Sequence, residues 1–145
     1  MFYPAREIVD RVWVGSRQDA GDRAFFMQHR IGLVVNCSRD VPFKFANIQG
    51  FRIPVHDDPS ENENLLNNLP GAVAAIEHYL QSNPSRGVLV HCWAGMQRSA
   101  AVVCAMLMRR HGWTPDAAMA YMKTKKPEVF FPRPTFEAAL WALPP

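Results

Sequence analysis

No run in this sequence approaches the roughly 20 uninterrupted apolar residues that a helix needs to span a bilayer, so a membrane segment is not expected. The opening stretch, Met1-Phe2-Tyr3-Pro4-Ala5-Arg6-Glu7, has neither the basic start nor the apolar core of a secretory signal. Cysteine is scarce. Cys37, Cys92 and Cys104 are odd in number and form no Cys-x-x-Cys pair, which argues against a disulfide framework and against a zinc site. Internal repeats, low-complexity tracts and linkers are missing too, so the 145 residues read as one domain, 1–145. Basic residues exceed acidic ones only modestly, 16 against 13, and only Lys123-Thr124-Lys125-Lys126 is a tight cluster. That balance suits anionic ligands. A nucleic-acid partner is disfavoured, because it calls for a longer basic stripe with interleaved aromatics. These absences point to an intracellular protein, cytoplasmic before nuclear.

What is present is an apolar fraction of 48% with 20% charged residues, a composition that disordered chains do not have. Apolar runs bounded by turn residues predict strands at Ile8–Gly15, Gly32–Cys37, Gly50–Val55 and Gly87–His91. Val88-Leu89-Val90 is apolar on consecutive residues, as expected of a strand covered on both faces. Helical stretches are expected near Asp19–His29 and Leu69–Gln81. Ser60-Glu61-Asn62-Glu63 has capping-box spacing, yet Pro70 predicts a later start for the main helix. The alternation of strand and helix implies an α/β fold with a central, mostly parallel sheet flanked by helices. Beyond the fourth strand the pattern is helical. Ser99–His111 is apolar nearly all round and stops at Gly112, which predicts a buried helix with a left-handed cap. Thr114-Pro115-Asp116 reads as the start of another helix, ending before Pro127, and Thr135 as the cap of a short last one ending near Leu143.

The chemistry is concentrated in Val88–Ser99. A cysteine stands at a strand end, then a five-residue loop, then Arg98 and Ser99 at the start of the buried helix. A loop entering a helix N-terminus directs several backbone N–H groups at one spot, which is an anion site. Gly95 lets that loop curl without a side-chain clash. The planar fork of Arg98 can hold two oxygens of a tetrahedral oxyanion, a task lysine does poorly. Cys92 in the same positive field is expected to ionise more readily than a free thiol and to act as a nucleophile.

His91-Cys92-(five residues)-Arg98-Ser99 resembles the signature of cysteine-dependent protein tyrosine phosphatases. Cys92-Trp93-Ala94-Gly95-Met96-Gln97-Arg98-Ser99 is most similar to their dual-specificity (VH-like) branch, and Ile8–Ser16, Ile31–Cys37 and Phe51–Val55 resemble that branch's first strands. The resemblance implies a dual-specificity protein phosphatase that needs no metal or other cofactor and acts on phosphoprotein substrates through a phosphocysteine. In that mechanism Cys92 attacks phosphorus, while Arg98 and the loop Trp93, Ala94, Gly95, Met96 and Gln97 bind the phosphate. A carboxylic acid on the loop after the third strand then protonates the leaving oxygen. The register of Ile53-Pro54-Val55-His56-Asp57 favours Asp57 for that role, with Asp58 as the alternative that also fits a turn cap ahead of Pro59. Ser99 assists thiolate departure and His91 orients the cysteine. The shortness of the chain implies a shallow pocket, hence activity on phosphoserine and phosphothreonine with a preference for phosphotyrosine. RNA 5′-triphosphatase, phosphoinositide phosphatase and a silent phosphoprotein-binding module stand as alternatives. Cys37 and Cys104 read as core thiols ahead of oxidative partners for Cys92. Arg39, Lys44 and Arg133 read as solvated ahead of a second anion site. Pro132-Arg133-Pro134-Thr135-Phe136 departs from the Pro-Asn-x-x-Phe that the branch often carries before its last helix.

Overall fold

In the computed structural model, which describes residues 3–144, the two most uniformly apolar segments lie side by side. Met1 and Phe2 of the opening stretch lie outside the described residues, as does Pro145. Strands β3 (Ile31–Asn36) and β5 (Gly87–His91) are buried along their whole length and pair in parallel, with Val34 opposite Leu89 and Asn36 opposite His91. Strand β2 (Val12–Gly15) adds in parallel on one side of β5, and β4 (Gln49–Arg52) on the far side of β3. Strand β1 (Arg6–Val9) closes the edge as an antiparallel partner of β2, giving the order β1-β2-β5-β3-β4. The mostly parallel sheet is as expected; its strand count differs. The run read as one strand from Ile8 to Gly15 folds back at Asp10-Arg11, where Arg11 takes a φ of +66°. The side chain of Arg11 donates to the carbonyls of Leu80, Asn83 and Arg86, so a distant helix end holds this turn in place.

Side chains alternate between the two faces of the sheet. Leu33, Val35, Val88 and Val90 join the large core, whereas Val34 and Leu89 join a smaller one with Ala20 and Phe26. The small core is covered by α1 (Arg17–Ala20) and α2 (Arg23–Gln28). These correct the single helix expected over Asp19–His29: Ser16 caps the first, Asp22 caps the second, and Gly21 stands between them.

The large core is covered by α3 (Asn62–Ser82), α4 (Arg98–His111), α5 (Pro115–Lys125) and α6 (Glu137–Ala142). Helix α3 begins seven residues ahead of the expected Leu69, and Pro70 sits inside it. Proline removes one helical hydrogen bond. Burial of Leu65, Leu69, Ala72, Val73 and Ile76 along one face offsets that loss, each large aliphatic contributing roughly 1.5–3 kcal/mol. The expected capping box at Ser60–Glu63 does not form; Asp58 instead caps a short 3-10 turn, Pro59–Glu61, that leads into the helix. Helix α4 is buried from Ser99 to Leu107 and ends, as its sequence predicts, at Gly112 with φ +68°. Thr114 caps α5. Thr135 does not cap α6: Phe136 takes that position, and the Thr135 amide is used elsewhere.

Candidate active site

Strand β5 and helix α4 are joined by Cys92–Gln97, and this junction is anchored from several distant segments. Cys92 continues the buried face of Val88 and Val90 and is 2% exposed. Its Sγ accepts from the Gly95 amide at 3.3 Å and lies 3.2 Å from Ser99 Oγ. Gly95 has φ +73°, and a Cβ there would stand 2.7 Å from the Gly15 carbonyl group. Both the backbone conformation and the close approach therefore require glycine. The Trp93 carbonyl accepts from the Arg17 amide and from its guanidinium, which also stacks 3.4 Å over the half-exposed Trp93 ring. On the other flank, the Phe130 amide donates to Met96 O at 2.9 Å.

Helix α4 starts at Arg98 without a side-chain cap, because the carboxamide of Gln97 is turned away from it. The first-turn amides of a buried 14-residue helix thus begin beside the thiol, where the helix dipole favours negative charge. Arg98 Nη1 donates to Val55 O at 2.9 Å. Its Nε is buried and has no partner among the described residues. This contact brings the loop after β4, with Asp57 and Asp58 on it, against the arginine. A thiol held by an amide and a hydroxyl, the first turn of a buried helix, a guanidinium with one unpartnered buried nitrogen and a loop with two carboxylates are parts suited to phosphoryl transfer.

Comparison with known proteins gives the same answer independently. Residues 12–143 match the family model described as "Dual specificity phosphatase, catalytic domain". The chain belongs to the dual-specificity phosphatase family. Dual specificity phosphatase 28 of Mus musculus is 35% identical to it over 125 residues, covering 86% of this chain and 74% of that protein. The Homo sapiens protein of the same name is 34% identical over 138 residues, 94% of this chain and 76% of that one. The crystal structure of human DUSP28 matches with a TM-score of 0.85 at 31% identity, covering 97% of this chain and 92% of that chain. This protein is accordingly a dual-specificity protein phosphatase, an enzyme whose substrates are phosphoproteins. Among the described residues no helix is long and apolar enough to cross a membrane.

In this phosphatase the groups around the thiol differ in how they titrate. Hydrogen bonds from the Ser60 side chain and amide hold the Asp58 carboxyl below the ordinary carboxylate value, which favours its ionised form. Asp57 beside it is exposed. Burial pushes the Cys37 thiol well up, with the neighbouring Cys92 adding to the effect, and pushes Cys104 to about 12. Both stay protonated at neutral pH, as core thiols do.

His91 is 1% exposed, and its Nδ1 lies 3.2 Å from the Cys92 carbonyl oxygen. Burial lowers its pKa from 6.5 to about 4. The folded phosphatase therefore keeps this ring neutral, and the unfolded chain binds the extra proton between those two values. Stability associated with His91 is present above pH 6.5 and is lost as pH falls towards 4, on the order of 3 kcal/mol in all. Urea unfolding across that range is expected to show a shallower acid decline for His91→Gln than for the unsubstituted protein. Parallel declines would contradict the assignment.

Sequence reasoning missed several supports of the loop. Gly15, Arg17, the Val55 carbonyl and the Phe130–Thr135 segment all touch it. None belongs to the Cys92–Ser99 motif, and only Gly95, read as letting the loop curl without a side-chain clash, hinted at a close neighbour. Lys44, read as solvated, donates to Gly21 O at 3.2 Å.

Proposed function

We propose that Cys92 carries the phosphoryl group during turnover. Its thiolate attacks phosphorus in line, an S–P bond forms, and the bond from phosphorus to the side-chain oxygen of the substrate breaks. Asp57, as the carboxylic acid, gives its proton to that departing oxygen. A water then attacks the phosphocysteine, Asp57 takes the water's proton, and the thiolate leaves with a hydrogen bond from Ser99 Oγ. Arg98 and the amides of Trp93, Ala94, Gly95, Met96 and Gln97 hold the non-bridging oxygens, and His91 orients the cysteine backbone. The observation that carries this reading is the unpartnered, buried Nε of Arg98 at the start of the helix whose next residue, Ser99, contacts the Cys92 thiol together with the Gly95 amide. An orphaned buried donor costs about 1–3 kcal/mol, and a phosphate oxygen satisfies it.

Asp57 is preferred to Asp58 because Asp58 already accepts from Ser60 as a turn cap. Asp57→Asn is expected to slow a phosphoester with a poor alkyl leaving group by roughly a hundredfold or more, and para-nitrophenyl phosphate much less. If Asp58→Asn gives that pattern and Asp57→Asn does not, the register is wrong by one residue. Phosphotyrosine is the preferred substrate among the phosphoresidues, because phenolate leaves more readily than a serine or threonine alkoxide. An intracellular compartment is proposed with it, since Cys92 must remain a free thiol.

A further inference from the structure

The side chain of Gln97 is not used by the chemistry above. Its Nε2 donates to the carbonyls of Phe131 and Arg133 at 3.1 and 3.0 Å, and its Oε1 accepts from the Thr135 amide at 3.0 Å. The residue is 8% exposed. A carboxamide has two donor hydrogens and one carbonyl oxygen, and here all of them are committed to a single backbone segment.

Between the buried Phe130 and Phe136, that segment has few other hydrogen bonds among the described residues. Pro132 and Pro134 have no N–H, Phe131 makes a long bond to Glu128 O at 3.3 Å, and Thr135 O accepts from Asn62 at 3.2 Å. The phosphate loop, by contrast, is anchored by hydrogen bonds from Arg17 to Trp93 O and from the Phe130 amide to Met96 O, and Arg98 next to it by the Val55 carbonyl. Loss of the carboxamide therefore releases the Phe131–Thr135 rim more than it releases the loop. This rim carries Phe131, 66% exposed, and Arg133, also exposed, on a backbone held directly by the last residue of the phosphate loop. An exposed phenyl and a cation in that position fit a polypeptide with apolar and acidic residues flanking its phosphorylated side chain.

We propose that Gln97 is a positioning residue for substrate selection: its carboxamide fixes the rim so that Phe131 and Arg133 engage the residues beside the phosphorylated one. The proposal rests on the reading of Cys92–Arg98 as the phosphate site. Its test uses para-nitrophenyl phosphate and two phosphotyrosine peptides, one with acidic flanking residues and one with alanines. Gln97→Met keeps the volume and removes the three hydrogen bonds. It is expected to lower kcat/KM for the acidic peptide about tenfold more than for para-nitrophenyl phosphate, mainly through KM. Arg133→Ala, a surface change that keeps the fold, is expected to erase most of the preference for the acidic over the alanine peptide. Equal losses on the small substrate and the peptide, no loss on either, or an unchanged peptide preference in Arg133→Ala would each overturn the proposal. Cys92→Ser serves as the separate control. If it retains turnover the catalytic reading fails, while the peptide-to-small-substrate ratio still decides the role of the rim.

Discussion

Serine in place of Cys92 is expected to lower kcat by roughly a thousandfold or more while leaving oxyanion binding largely intact. A serine hydroxyl loses its proton far less readily than a thiol, and among the described residues the hydrogen-bond partners at this position are the Gly95 amide and the Ser99 hydroxyl, neither of them a base. The binding parts are separate from the nucleophile. The start of α4, the loop amides and Arg98 remain when one sulfur becomes oxygen. Purified Cys92→Ser should thus bind inorganic phosphate much as the unsubstituted protein does, measured by calorimetry, yet fail to turn over para-nitrophenyl phosphate. Substantial turnover by this variant would rule out the covalent route.

Arg98→Lys is expected to reduce kcat/KM by roughly a hundredfold or more. Arg98 has two tasks in different directions. One nitrogen is already committed to Val55 O, and the buried Nε has no partner among the described residues and is left for a phosphate oxygen. A guanidinium performs both at once because its donors are fixed in a plane. A lysine ammonium is a single point, so it either leaves the Val55 carbonyl unpaired or leaves the phosphate poorly held. Releasing Val55 also loosens the loop that carries Asp57, and the loss should therefore be greatest on substrates with poor leaving groups. Near-normal activity in Arg98→Lys would mean that the arginine only supports the loop after β4.

Much of this architecture is visible in the sequence where local pattern and tertiary demand agree. Val88-Leu89-Val90 is apolar on both faces and lies in the middle of the sheet. The all-round apolar stretch after Arg98 is a buried helix, and Gly112 ends it. The contact between Cys92 and Ser99 follows from a strand feeding directly into that helix. What local pattern cannot show is support from distant segments. Arg11 reverses the chain without a glycine because carbonyls some 70 residues away bind its side chain. Pro70 argues for a later helix start, yet packing of Leu65 and Leu69 carries α3 through it. Arg17 meets Trp93 across 76 residues, and nothing near Ser16 in the sequence announces it. Gln97 is a comparable case. The departure at Pro132–Phe136 from the branch pattern raises the question of what holds that segment, and the answer includes a carboxamide at the end of the phosphate loop.

The account stands or falls on a phosphoryl group bonded to Cys92 during turnover. Acid quenching of the protein during turnover of para-nitrophenyl phosphate, followed by proteolysis and mass spectrometry, measures this directly. The expected result is a phosphate adduct on the peptide containing Cys92, present before substrate is exhausted and missing in Cys92→Ser. Turnover at a normal rate with no adduct on Cys92, or with the adduct on another residue, would contradict the mechanism.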